Sequence, residues 1–312
     1  QDNQAEQGGA IWNASTNLTI LNSLIRKNTS RQVGSGSTEP GVVIYVSLPP
    51  ETAQLAASQN IVASTLTENT GYAAILRGGM GINSSTIHNN SVGGVYIKST
   101  NLDPKGKPLT PASLANSLIA GNGSAAAPRD CGFDGTEATQ GNSYLNNLVF
   151  MGGCDQHPKL VDNTRALTNL TVLAQAETNP DRQLDLLTLI ADANKDGKCD
   201  LPPARGLLCP LEKRNEDFVE YYRPRLLISY QKLSDSPLVN KGNETLSSDF
   251  KFTGCSGNDQ RGKQRVLCDI GAIELKLAET DSNSKTNFAD MLYGQGTARI
   301  DLSGRSSQNK SE

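Results

Sequence analysis

The sequence predicts an all-β chain, a right-handed parallel β-helix, from three features. Short aliphatic runs repeat in register, an Asn closes each repeat, and both charged and hydrophobic residues are scarce. Of 312 residues, 36% are hydrophobic and 20% charged, with 29 glycines and a net charge of only −3. Disordered chains of such polarity carry high net charge and few β-branched residues. Here Val, Ile and Leu recur in short clusters. A solenoid accounts for the balance, because each coil buries a few aliphatics and spends its other residues on turns.

Four segments align without gaps: ILNSLIRKN from Ile20, IVASTLTEN from Ile61, INSSTIHNN from Ile82 and LANSLIAGN from Leu114. Their starts lie 41, 21 and 32 residues apart, against about 20 to 25 residues for one β-helix coil, so insertions of variable length are expected between coils. A second strand precedes each copy: GGAIWN (Gly8–Asn13), GVVIYV (Gly41–Val46), YAAILRGG (Tyr72–Gly79) and GGVYIKS (Gly93–Ser99). Alternating residues suit strands with aliphatics inward and polar groups outward. The closing Asn tolerates a left-handed backbone, and stacked Asn side chains can form ladders that satisfy turn amides. An antiparallel β-sandwich is the alternative.

GGAIWNASTNLTILNSLIRKNTS resembles the GGAI and xxxN repeats of polymorphic outer-membrane proteins and related bacterial β-helix surface proteins. DSPLVNKGN, DQRGKQR and CDIGAIEL, between Asp235 and Leu275, resemble the closing segment of choice-of-anchor-type β-helix proteins. The resemblance covers residues 1–162 and 233–275. Asn240 departs from it, standing where that family usually carries Asp. The chain therefore divides into β-helix coils (1–162), an inserted segment (163–232), a terminal coil and cap (233–275) and a polar tail (276–312). Asp259, Arg261, Arg265, Asp269 and Glu274 are expected to form a structural network over the edge of the last coil. Gln1 stands immediately before a repeat, so that edge calls for upstream coils, a partner, or end-to-end self-association.

In the inserted segment, Leu184, Leu187 and Ile190–Ala191 read as a short helical face, with a strand as the alternative, and YYRPRLLISY (Tyr221–Tyr230) reads as a strand returning to the stack. DANKDGKCD places Asp192, Asn194, Asp196 and Asp200 at positions 1, 3, 5 and 9 of a loop. Gly197 falls at position 6, and the Lys198 carbonyl at position 7. Ca2+ takes six to eight oxygens in such loops. The motif resembles the calcium loops of thrombospondin-type-3 and dockerin-like repeats, but Pro203 rather than Glu occupies position 12. Glu212 is a candidate for the missing ligand, and an acidic turn without metal is the alternative.

Six cysteines allow 15 connectivities. Sequence adjacency favours Cys131–Cys154, Cys199–Cys209 and Cys255–Cys268 in an oxidising compartment, with free buried thiols as the alternative. Near-neutral charge argues against nucleic acid, and no apolar run approaches the roughly 18 residues of a membrane span. The expected setting is secreted or cell-surface.

Catalytic signals are sparse. Glu39, Glu51, Glu68 and Asp103 are scattered through the repeats, while Asp130, Asp134, Glu137 and Asp155 surround the first cysteine pair. His88 and His157 are the only histidines, and no GxSxG or HExxH motif occurs. The sequence favours a non-catalytic extracellular or cell-surface scaffold for adhesion, glycan or protein binding, or surface assembly. A polysaccharide lyase or glycoside hydrolase of the pectin-lyase-like fold is the alternative.

Overall fold

The computed structural model describes residues 1–14, 17–31, 40–47, 58–77, 79–98, 112–134, 143–145, 147–150, 152–154, 167–200, 204–213, 217–227, 229–230, 235–243, 246–247 and 255–275. Strands in parallel sheets dominate, with few helices. The first sheet holds Ile11–Asn13, Val42–Val46, Tyr72–Leu76, Gly93–Lys98 and Cys131–Asp134. The second holds Asn17–Leu21, Ser58–Val62, Met80–Asn83, Ser113–Ala115 and Ser143–Leu145. The third holds Leu24–Arg26, Thr65–Thr67, Thr86–His88, Leu118–Ala120, Asn147–Val149 and Leu167–Asn169. Successive strands visit the three sheets in turn before the chain returns to the first. This order is compatible with a β-helix and excludes an antiparallel sandwich.

Register follows the repeat. Ile20, Ile61, Ile82 and Leu114 pair in line across the second sheet. Ile25, Leu66, Ile87, Ile119 and Val149 do so across the third, and Ile11, Ile44, Ala74, Val95 and Cys131 across the first. These side chains share one core. Burying each aliphatic contributes about 1.5–3 kcal/mol, and a one-residue slip would turn a whole strand inside out.

The turn from second to third sheet explains the remaining repeat positions. Asn22, Ala63, Ser84 and Asn116 have φ of 49°, 46°, 48° and 50°. The N–H of the following Ser donates to the Ser hydroxyl of the next pass: Ser23 N to Ser64 Oγ (3.1 Å), Ser64 N to Ser85 Oγ (3.3 Å) and Ser85 N to Ser117 Oγ (3.2 Å). Ser117 N then donates to Asn147 Oδ1 (3.1 Å). That last bond reveals a fifth copy, Tyr144–Phe150, which sequence alignment missed because Asn147 replaces the Ser.

A second ladder runs through the closing Asn residues. Nδ2 donates to the next Oδ1 from Asn3 to Asn28 (3.0 Å), Asn28 to Asn69 (3.1 Å), Asn69 to Asn90 (2.8 Å) and Asn90 to Asn122 (2.9 Å). Asn122 ends it on Asp130 Oδ1 (3.1 Å), whose Oδ2 accepts from Phe150 N (3.0 Å). Asp130 is therefore a buried structural carboxylate.

The outward face of the third sheet departs from the polar expectation. Leu118, Ala120 and Leu148 are buried in a second core with Leu170, Leu189, Leu208, Tyr222 and Leu238. Two helices contribute to this layer, α1 (Leu170–Ala176) and α2 (Pro180–Leu187), capped by Asn169 and Asn179. On α2 the buried residues are Asp185 and Leu186, whereas Leu184 and Leu187 are 49% and 40% exposed. The expected helical face is thus corrected: Leu186 and Asp185 face inward, the Asp185 carboxylate accepting from Arg205 Nη1 (3.0 Å). The described residues of 221–230 do not form the expected strand. Only single bridges occur, Glu212 with Tyr221 and Leu208 with Pro224. Pro224 lacks an N–H for a ladder, and the Arg225 guanidinium instead donates to the carbonyls of Asp200, Ala204, Arg205 and Gly206.

The described residues 255–275, together with Asn240, form the expected buried polar network. Asp259 accepts from Arg261, Asp269 accepts from Asn240 N and Leu275 N, Glu274 accepts from Val266 N and Leu267 N, and Arg265 donates to the Gly271 carbonyl. Its location differs from the cap position. Gln260 donates to the Ser23 carbonyl, Ala272 N to Thr86 Oγ1, and Gly271 N to the Asn116 carbonyl. The segment thus straps the second-to-third-sheet corner of successive passes. All three favoured disulfides are present, and the described residues contain no free cysteine. No helix among the described residues is long and apolar enough to cross a membrane.

A candidate ligand-binding cleft

Where the inserted segment rides on the third sheet, the two leave a cleft of about 340 Å³. Its floor comes from Arg26, Glu68, His88 and Asn89, at the outward ends of three neighbouring passes. Its opposite wall includes Asp192, Glu220 and Tyr222. Tyr222 anchors that wall: its hydroxyl bonds Thr67 Oγ1 (2.8 Å), and its ring meets His88 edge-on at 5.0 Å. Burial pushes the Tyr222 phenol up to about 12.

His88 donates from Nδ1 to the Ala120 carbonyl in the next pass (2.7 Å). Burial pulls its pKa down to about 4, against the opposing effect of that bond. The ring is therefore neutral at physiological pH, and Nε2 is an acceptor. Gly121, with φ +68°, passes beneath it, and a Cβ there would come within 3.0 Å of the ring.

The charged groups form a chain. Arg26 Nε lies 3.5 Å from Glu68 Oε2, and its Nη1 bonds Glu220 Oε2. Arg26 Nε and Asp192 Oδ1 are both closed off from solvent without a hydrogen-bond partner. The lining brings together one cation, three carboxylates and a neutral imidazole beside an apolar and aromatic wall.

The DANKDGKCD loop forms the rim. Gly197 N donates to Asp192 Oδ2 (3.1 Å), Asp196 N to Asn194 Oδ1 (3.1 Å), Lys198 N to Asp196 Oδ1 (2.8 Å) and Ala193 N to Asp200 Oδ2 (2.6 Å). Lys195 and Gly197 make the turn with φ of 58° and 75°, and Cys199–Cys209 closes the loop. Each Asp thus commits one named oxygen to the loop. Among the described residues, no three His, Cys, Asp or Glu side chains gather closely enough to hold a metal. Glu212 is placed elsewhere, accepting from Arg223 Nε (2.6 Å). The unpartnered Oδ1 of Asp192 is the one feature of the loop that suits a cation.

Sequence reasoning named His88, Glu68 and Asp192 separately but did not bring them together. It missed Arg26, Glu220 and Tyr222, whose only signal was their outward place in strand or insert. Glu39, Glu51, Asp103, Glu137, Asp155, His157, Pro203 and residues 276–312 lie outside the described residues, as does the side chain of Asp134.

The chain matches no family model, no curated protein and no solved structure.

Proposed function

We propose that this chain is a right-handed parallel β-helix of the secreted or cell-surface kind, serving as a non-catalytic scaffold that binds an extracellular glycan or surface protein. The cleft carries this reading, because it is a pocket of ligand size whose polar lining retains unspent hydrogen-bonding capacity. Three disulfides support an oxidising compartment. The experiment is a glycan array with the intact protein, run beside a screen of pooled polysaccharides for reducing-end release and unsaturated-uronate absorbance. Array binding without degradation is the expected outcome; turnover of any polysaccharide would replace the reading with catalysis.

The rim loop is proposed to take Ca2+ through Asp192, Asn194, Asp196, the Lys198 carbonyl and Asp200. Its support is the spacing, the left-handed turns and the unpartnered Asp192 oxygen. Calorimetry on chelator-treated protein should show heat on adding calcium and a higher Tm, and Asp192→Asn should weaken binding by about tenfold or more. An absence of both heat and Tm shift removes the metal from this reading.

A further inference from the structure

We propose that the cleft recognises an amino sugar: one pyranose ring bearing a protonated amine. The inference rests on the glycan-binding reading above and names the ligand class of the same site.

Charge points to the amine. With the rim loop free of metal, Arg26 (+1) faces Glu68, Glu220 and Asp192 (−3), which leaves the lining at −2. Lys27 reaches only Glu68, at 3.9 Å, and is half exposed. His88 is neutral, and its Nδ1 proton is already given to Ala120, so Nε2 adds an acceptor rather than a cation. Both glutamates keep part of their side chains open to solvent, at 30% and 40%. A ligand ammonium entering between them would add to the charge compensation that Arg26 now supplies to both carboxylates and Lys27 to Glu68 alone.

Polyol chemistry is indicated by the unspent donor. Arg26 Nε lacks an acceptor while Asp192 Oδ1 lacks a donor. A lysine side chain brings donors alone. An amino sugar brings an ammonium for the carboxylates and hydroxyl oxygens for the guanidinium. Beside the charged groups, Ile190, Pro210 and Leu211 supply an apolar surface for the C–H face of a pyranose. The volume of about 340 Å³ lies at the lower end of ligand pockets, roughly 300–1,000 Å³, which suits one sugar unit rather than a chain.

The test uses the full chain with divalent ions chelated. Glucosamine, N-acetylglucosamine, glucose and lysine methylamide are compared by saturation-transfer NMR and calorimetry. Glucosamine should bind about tenfold or more tightly than the other three, with Glu220→Gln costing about tenfold. Leu211→Trp, which fills the cleft, should abolish binding with the thermal transition retained. Should Glu220→Gln fail to fold, Glu68→Gln takes its place. Equal binding of glucose and glucosamine overturns the amine and leaves glycan binding standing. Equal binding of lysine methylamide overturns the sugar. Silence of all four beside a positive glycan array overturns the amino-sugar assignment alone, whereas a silent array removes the parent reading as well.

Discussion

At the residue scale, Asn69 shows why an Asn closes each repeat. Its Oδ1 accepts from Asn28 N and Nδ2, while its own Nδ2 donates to Asn90 Oδ1 and the Ile25 carbonyl. Only a planar amide supplies both roles in that space. Removing the side chain leaves buried donors and acceptors unsatisfied, at about 1–3 kcal/mol for each group. Asn69→Ala should therefore lower stability by roughly 2–4 kcal/mol in urea unfolding, whereas Ser124→Ala, on an exposed turn, should change little. Asp130 plays the opposite part. A carboxylate accepts and cannot donate, so it terminates the ladder where Asn122 and Phe150 both bring N–H groups. Gly121 is fixed by a different constraint, combining a left-handed backbone with the ring of His88 above it. Gly121→Ala should displace His88, read as a change in the imidazole NMR signals and a lower Tm.

Among the elements, the strands of the third sheet do two jobs. Their inward side chains, Leu66, Ile87 and Ile119, fill the central core, while outward Leu118 and Leu148 fill the second. Leu148→Ala should cost about 2–5 kcal/mol, the usual range for a buried Leu truncated to Ala, with near-ultraviolet dichroism of the insert's tyrosines diminished. If the insert were only loosely laid on the sheet, the cost would approach that of an exposed site. The strap at 255–275 bonds to successive passes through backbone and short polar side chains. Its staple, Cys255–Cys268, closes a short loop. Removing both cysteines should expose the strap to proteolysis before the sheets, because strap contacts involve fewer buried aliphatics.

Over the whole molecule, two buried groups oppose one another in pH. Burial raises Asp269 to about 6 from an ordinary carboxylate's 3.8. The folded protein thus holds its proton more tightly than the unfolded chain, and this contribution to stability is present below about pH 4 and lost as pH rises through 6. The shift corresponds to about 3 kcal/mol. His88 behaves in reverse, since its pKa falls from 6.5 to about 4, and its contribution is lost as pH falls through that window. Urea titrations between pH 4 and 6.5 should show these slopes largely cancelling. Asp269→Asn should leave a protein that weakens on acidification, and His88→Gln one that strengthens. Slopes of the same sign in both variants would refute the assignment.

Local sequence determined the columns of aliphatic residues and the polar turns that close them, and it favoured the disulfide pairs, because each depends on near neighbours or on a repeat of aliphatic and turn residues. Ile20, Ile61 and Ile82 announce their column through spacing alone. Tertiary structure decided the rest. Leu118 and Leu148 look like outward strand positions until the insert covers them, and Arg225 looks like part of a strand until it gathers four carbonyls. Arg26 and Glu220 stand 194 residues apart and acquire meaning only as partners. Periodicity reports which side of a strand is apolar; which distant segment comes to lie against it is a matter of shape, and the cleft exists only in that contact.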